Sequence, residues 1–167
     1  GGGLYLTQVS GSTSIDMTGG TINNNSATAN GGGLFMNGGT ASLTSVGFTG
    51  NTKTASSSFM NGGGFYFNGA NATLDSLVCQ ANEANVGGAG ALVNCPSADV
   101  TNSVLTGNSA LYYGGGLALQ NTATGNISNN TIVSNEATLS GGGGIYLTGG
   151  SPSIEGNIVA FNTGGTA

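Results

Sequence analysis

The chain has 167 residues, a net charge of −5, one basic residue and no histidine. One lysine cannot supply the cationic contacts that hold a phosphate backbone, so nucleic acid is excluded as a partner, and an anionic membrane surface with it. Only 2 residues are Pro, 37% are hydrophobic and no apolar run is long enough to span a bilayer, which predicts a folded domain if the apolar residues recur periodically.

In chain order, six segments open alike. They are GGGLYLT at Gly1, GGGLFMN at Gly31, GGGFYFN at Gly62, GAGALVN at Gly88, GGGLALQ at Gly114 and GGGIYLT at Gly142. Gly1 stands in mid-pattern with no initiator Met, which reads as a processed chain or a segment of a longer one. Each opening precedes two further landmarks. The first is an apolar residue: Met17, Leu43, Leu74, Val100, Ile127 and Ile154. The second, five residues on, is an apolar residue followed by two spacers and an Asn: Ile22 to Asn25, Phe48 to Asn51, Cys79 to Asn82, Leu105 to Asn108, Ile132 to Asn135 and Val159 to Asn162. Openings are 30, 31, 26, 26 and 28 residues apart, while each Asn follows its opening by 24, 20, 20, 20, 21 and 20 residues. A near-fixed offset inside a variable period means a rigid part and a tolerant part. The tolerant part lies between Asn51 and Gly62, where Lys53, Phe59 and Met60 are expected to leave the body as a loop. The first repeat carries a smaller insertion near QVSGSTS.

Short apolar stretches between Gly, Asn and Ser turns read as strands, and none is long enough for a helix. Such strands cannot bury a face alone. If each repeat makes one coil, equivalent strands pair in parallel at about 4.8 Å and like residues stack. The fold expected is all-β: a single-domain right-handed parallel β-helix of six coils, about 29 Å long, with coils starting near 1, 31, 62, 88, 114 and 142. In each opening strand the outer apolar residues point inward. These are Leu4 and Leu6, Leu34 and Met36, Phe65 and Phe67, Ala91 and Val93, Leu117 and Leu119, and Ile145 and Leu147. The bulky pair Phe65 and Phe67 then faces the small pair Ala91 and Val93.

The column Asn25, Asn51, Asn82, Asn108, Asn135 and Asn162 is expected to form a structural ladder of stacked amides. Cys79 and Cys95 admit two readings, a disulfide in an oxidising compartment or two free thiols. The Gly-Gly-Gly-apolar opening, as GGGLYL at Gly1, and the Phe-x-x-Asn motif, as FTGN at Phe48, resemble the polymorphic outer-membrane protein repeats of bacterial adhesins and autotransporter passengers. The resemblance covers the whole chain and implies a cell-surface protein that adheres or serves as a stalk.

Parallel β-helices also carry polysaccharide lyases and hydrolases, but the residues argue against catalysis. The carboxylates sharing a coil position, Asp16 with Asp99, Asp75 with Glu155, and Glu83 with Glu136, fall at least two coils apart, at or beyond the range of a glycosidase pair. No serine has a histidine to activate it, two cysteines do not make a zinc site, and no cofactor is implied. Between the inward residues, Tyr5, Phe35, Tyr66, Leu92, Ala118 and Tyr146 point outward. The aromatic members Tyr5, Phe35, Tyr66 and Tyr146 are candidates for contact with sugar rings or protein, or simply pack across strands. Asn24, Asn71, Asn126 and Asn129 head N-x-Ser/Thr triplets, so covalently attached glycans are a further expectation.

The expected function is a non-enzymatic extracellular or cell-surface structural protein whose copies stack head to tail into a fibre or stalk. Five residues follow Asn162, the same interval that separates Asn25, Asn82 and Asn108 from the next opening, so a second copy would resume the pattern in phase. An adhesin passenger binding a host or glycan surface is the alternative, and a polysaccharide-active enzyme a remote one.

Overall fold

The computed structural model describes residues 1–7, 13–54 and 61–165. Four short strands per coil repeat through six coils, giving four parallel six-stranded sheets and no helix among the described residues. The first sheet holds Leu4–Thr7, Leu34–Asn37, Phe65–Asn68, Gly90–Val93, Leu117–Thr122 and Ile145–Gly150. The second runs from Ser14–Thr18 to Ser153–Glu155 and the third from Thr21–Asn23 to Ile158–Ala160. The fourth holds Ser26–Ala27, Thr52–Lys53, Glu83–Val86, Ser109–Tyr113, Glu136–Ala137 and Thr163–Gly164.

The corners explain why coils of such different sequence close alike. Between the second and third sheets each coil has a residue in a left-handed conformation at the same position, Gly19, Ser45, Ser76, Asn102, Asn129 and Gly156, and in the first coil Gly20 follows suit. Between the third and fourth the column is Asn24, Gly50, Ala81, Gly107, Ser134 and Phe161. A left-handed residue turns the chain sharply; Gly and Asn suit that position, whereas Ser45, Ser76, Ser134, Ala81 and Phe161 hold it against their own preference because the stacked coils impose the corner. The glycine openings answer a different need, close backbone approach. A Cβ at Gly63 would lie 2.7 Å from the Glu83 carbonyl oxygen of the fourth sheet, so no larger residue fits there.

Inside, like residues stack on like. Met17, Leu43, Leu74, Val100, Ile127 and Ile154 form one inward column of the second sheet. Ile22, Phe48, Cys79, Leu105, Ile132 and Val159 form that of the third. Most of these side chains are fully buried in the middle coils and join one continuous core. Burial of such aliphatic and aromatic side chains contributes about 1.5–3 kcal/mol each.

The fourth coil differs from the sequence expectation by one residue. Phe65 pairs with Gly90, Tyr66 with Ala91, Phe67 with Leu92 and Asn68 with Val93. The coil therefore opens at Gly87, not Gly88. Gly90 and Leu92 hold the inward positions, Ala91 and Val93 the outward ones. Leu92, expected outside, is fully buried in the core. A slip of one residue exchanges the faces of a strand. Here it places a 4-carbon side chain under Phe67 and leaves room for the Phe65 ring above a glycine.

Candidate functional site

The Asn column forms a continuous ladder. Each side-chain Nδ2 donates to the Oδ1 of the next coil's Asn, from Asn25 through to Asn162, at 2.9 to 3.1 Å. The same Oδ1 accepts the backbone N–H of the preceding Asn at 2.9 to 3.1 Å. From Asn51 onward the second amide hydrogen goes to a carbonyl of the coil before, as Asn108 Nδ2 does to Cys79 at 3.0 Å, while Asn25 donates to Asn23 of its own coil. Asn51, Asn82, Asn108 and Asn135 are buried, so each amide must find its partners inside the protein, and does. These residues are structural: every donor and acceptor is committed to the stack.

A second, shorter ladder occupies the corner between the second and third sheets. Asn130 Nδ2 donates to Asn157 Oδ1 at 2.9 Å, and the Ser103 backbone N–H donates to Asn130 Oδ1 at 2.9 Å. Sequence reasoning missed it, although Ile127 to Asn130 and Ile154 to Asn157 repeat the apolar-x-x-Asn spacing of the main column. In earlier coils Val46 and Leu77 fill this position as buried apolar residues.

The outer face of the first sheet carries the aromatic row. Tyr5 stacks on Phe35 with centroids 4.7 Å apart, and Phe35 on Tyr66 at 5.6 Å. Tyr5 is 64% exposed but Tyr66 only 6%, so Tyr66 does not present a free ring. The register places Ala91, not Leu92, between Tyr66 and Ala118. Tyr112 and Tyr113, at the end of the fourth-sheet strand, pack against this small-residue stretch, and Tyr113 stacks on Tyr146 at 4.5 Å. The row is thus made up from two sheets. Its sequence signal, two tyrosines immediately before Gly114, went unused because they lie outside the opening strand.

Cys79 and Cys95 are both free and buried. The disulfide reading is corrected: Cys79 belongs to the inward column of the third sheet, between Phe48 and Leu105, whereas Cys95 follows the first-sheet strand. Burial pushes the Cys79 thiol up to about 12, and raises that of Cys95 as well.

The carboxylates remain dispersed. Ser109 separates Glu83 from Glu136 in one outward column, and two coils separate Asp75 from Glu155 in another. Asp75 accepts from Thr101 Oγ1 at 2.7 Å and from Asn102 Nδ2 at 2.6 Å. These hydrogen bonds, Thr101 first, hold its carboxyl below the usual range. Among the described residues no three His, Cys, Asp or Glu side chains come together as a metal site.

Lys53 overturns an expectation. It does not leave the body in a loop: Thr52–Lys53 is a strand of the fourth sheet, with Lys53 in register with Ala27. The remainder of the insertion, including Phe59 and Met60, lies outside the described residues. Lys53 is 4% exposed, and its Nζ has no hydrogen-bond partner among the described residues. Burial lowers its pKa. Beside it a hollow of about 390 Å³ is lined by residues 52–54 and 83–85 with Ser109, Leu111 and Thr138.

A family model described as a right handed beta helix region matches residues 1–163 of the chain. No curated protein and no solved structure matches it.

Proposed function

Because the chain belongs to the right-handed β-helix family, and that family includes enzymes as well as non-enzymes, we propose a function from its side chains: a structural rod of an extracellular or cell-surface assembly. The observation that carries this reading is the unbroken amide ladder through all six coils. It commits the most regular polar residues of the chain to rigidity along one axis. The sixth coil presents Leu147, Ile154 and Val159 at its face, all exposed and of the same column types as those covered in the coils above. A second copy, offering Leu6, Met17 and Ile22 of its first coil, continues each column and pairs the open strand edges. The N-x-Ser/Thr asparagines Asn24, Asn71, Asn126 and Asn129 are all exposed, compatible with attached glycans on a surface that holds few charges.

Electron microscopy and fibre diffraction of the purified chain test this reading. Uniform filaments with an axial repeat near 4.8 Å are expected. Isolated short rods at high concentration would rule out self-stacking. The aromatic row supports a second reading, an adhesin face that stacks on sugar rings. It predicts that Tyr5→Ala and Tyr146→Ala abolish binding in a glycan-array screen while leaving filaments intact.

A further inference from the structure

The hollow on the fourth sheet lies where the register of that sheet breaks. Glu83 pairs with Ser109 and Ala84 with Ala110, but Val86 pairs with Tyr113, so the strand of the fourth coil carries one extra residue. Among the described strand pairs this is the one that shifts register. A bulge re-aims the side chains beside it, and such irregularities gather at functional sites. We propose that the hollow binds an amino sugar, with the sugar's ammonium held by the Glu83 carboxylate. The inference goes beyond the rod reading and does not depend on it.

Strand alternation decides which side chains face the hollow. Lys53 stands in the inward column with Ala27, Ala84, Ala110 and Ala137, so its amine is directed to the opposite face. Thr52, Glu83 and Ser109 form the outward column. Thr54, Leu111 and Thr138 line the same hollow from the next outward position along their coils.

Three properties of this face select the ligand. First, Glu83 is the one charged side chain facing the hollow among the described residues, and the chain's only basic residue is turned away from it. A carboxylate only accepts hydrogen bonds, so a ligand ammonium supplies both the donors and the opposite charge. One carboxylate matches one ammonium. Second, hydroxyl groups flank that carboxylate, Thr52 one coil before and Ser109 one coil after, each about 4.8 Å away along the axis. Hydroxyls placed around the ligand's ammonium meet donors and acceptors there. Third, half-buried Leu111 adds an apolar surface that suits the C–H face of a sugar ring. The volume, about 390 Å³, is that of a small-molecule site and too large for a bare ion to fill. The lining residues come from coils two to five, about 14 Å along the axis, which accommodates a free sugar or a unit of a longer chain.

Isothermal titration of the whole chain with glucosamine hydrochloride, at pH 6 and constant ionic strength, tests the proposal. Wild type is expected to bind one glucosamine. Glu83→Gln keeps the shape and removes the charge, and is expected to bind about tenfold more weakly. Glu136→Gln, in the same outward column but outside the hollow, should bind as wild type does. Both variants should keep the wild-type far-ultraviolet circular dichroism. Glucose has the hydroxyls without the charge and propylamine the charge without the hydroxyls; each should bind about tenfold more weakly than glucosamine. A β-1,4-linked glucosamine dimer that binds more tightly than the monomer would assign the site to a polymer, and equal binding to the free sugar. Four results would overturn the proposal: no heat from wild type with tens of millimolar glucosamine, equal binding by folded Glu83→Gln, an equal loss in Glu136→Gln, which would mean diffuse attraction to an acidic protein, or glucose or propylamine binding as well as glucosamine.

Discussion

The ring of Phe65 fills the space that a Cβ on Gly90 would occupy. The two residues are paired in register on the inward face of adjacent coils. Phe65 also packs against Phe48 and Phe67, with centroids 5.5 and 5.4 Å away, so the ring cannot retreat without disturbing the core. Gly90→Ala is therefore expected to destabilise the protein by about 1–3 kcal/mol through overpacking. Phe65→Leu in the same chain should restore part of the loss, because the two changes share one volume. Chemical denaturation of the two single variants and the double variant measures this; additive effects would show that the residues do not share that space.

Asn108→Ala breaks the main ladder in its centre. The Asn82 backbone N–H and Nδ2, which donate to Asn108 Oδ1 at 3.0 and 2.9 Å, lose their acceptor, and the Cys79 carbonyl loses its donor. Each buried group left unsatisfied costs about 1–3 kcal/mol. The denaturation midpoint should fall markedly. Asn108→Asp should fall further at neutral pH, since it sets a carboxylate against Asn135 Oδ1, the present acceptor of Asn108 Nδ2. An unchanged midpoint in Asn108→Ala would show that the ladder contributes nothing net.

Lys53 gives the protein an alkaline gain in stability. Its pKa in the folded chain is lowered from 10.5 by burial, so between the folded value and 10.5 the unfolded state binds more protons than the native one. Stability rises with pH across that window and falls as pH drops through it. Lys53→Met removes the titration and the buried amine together. Thermal denaturation should show Lys53→Met more stable than wild type at pH 7, with the difference shrinking as pH approaches 10.5. A constant difference over that range would place the Lys53 amine in solvent.

The two thiols should be inert in the folded state. Cys79 is fully buried with its thiol pushed up to about 12, and Cys95 is raised too, by burial first. The thiolate is the reactive form. Iodoacetamide at pH 8 should label neither cysteine in the native chain and both in denaturant, as read by intact mass. Native labelling of Cys79 would mean that the third sheet opens readily.

What the sequence by itself determined is the repeat and the columns. Parallel stacking converts a recurring spacing into vertical contact, so Met17 to Ile154, Ile22 to Val159 and the ladder from Asn25 to Asn162 could be read directly as columns. The pattern was legible there because each position has bulk or a distinctive amide in every coil. Only the tertiary structure decided the phase of the fourth coil. In GAGALVN the residues that would mark the faces are Gly and Ala, too small to say which side they occupy, and the choice fell to the Phe65 ring and the buried Leu92. It likewise decided the surface. Tyr113 reaches Tyr146 from a different sheet, a contact with no fixed interval in the chain. Lys53 is drawn into the fourth sheet because the residue after Thr52 must pair with Ala27, and backbone pairing overrides the preference of a charged side chain for water.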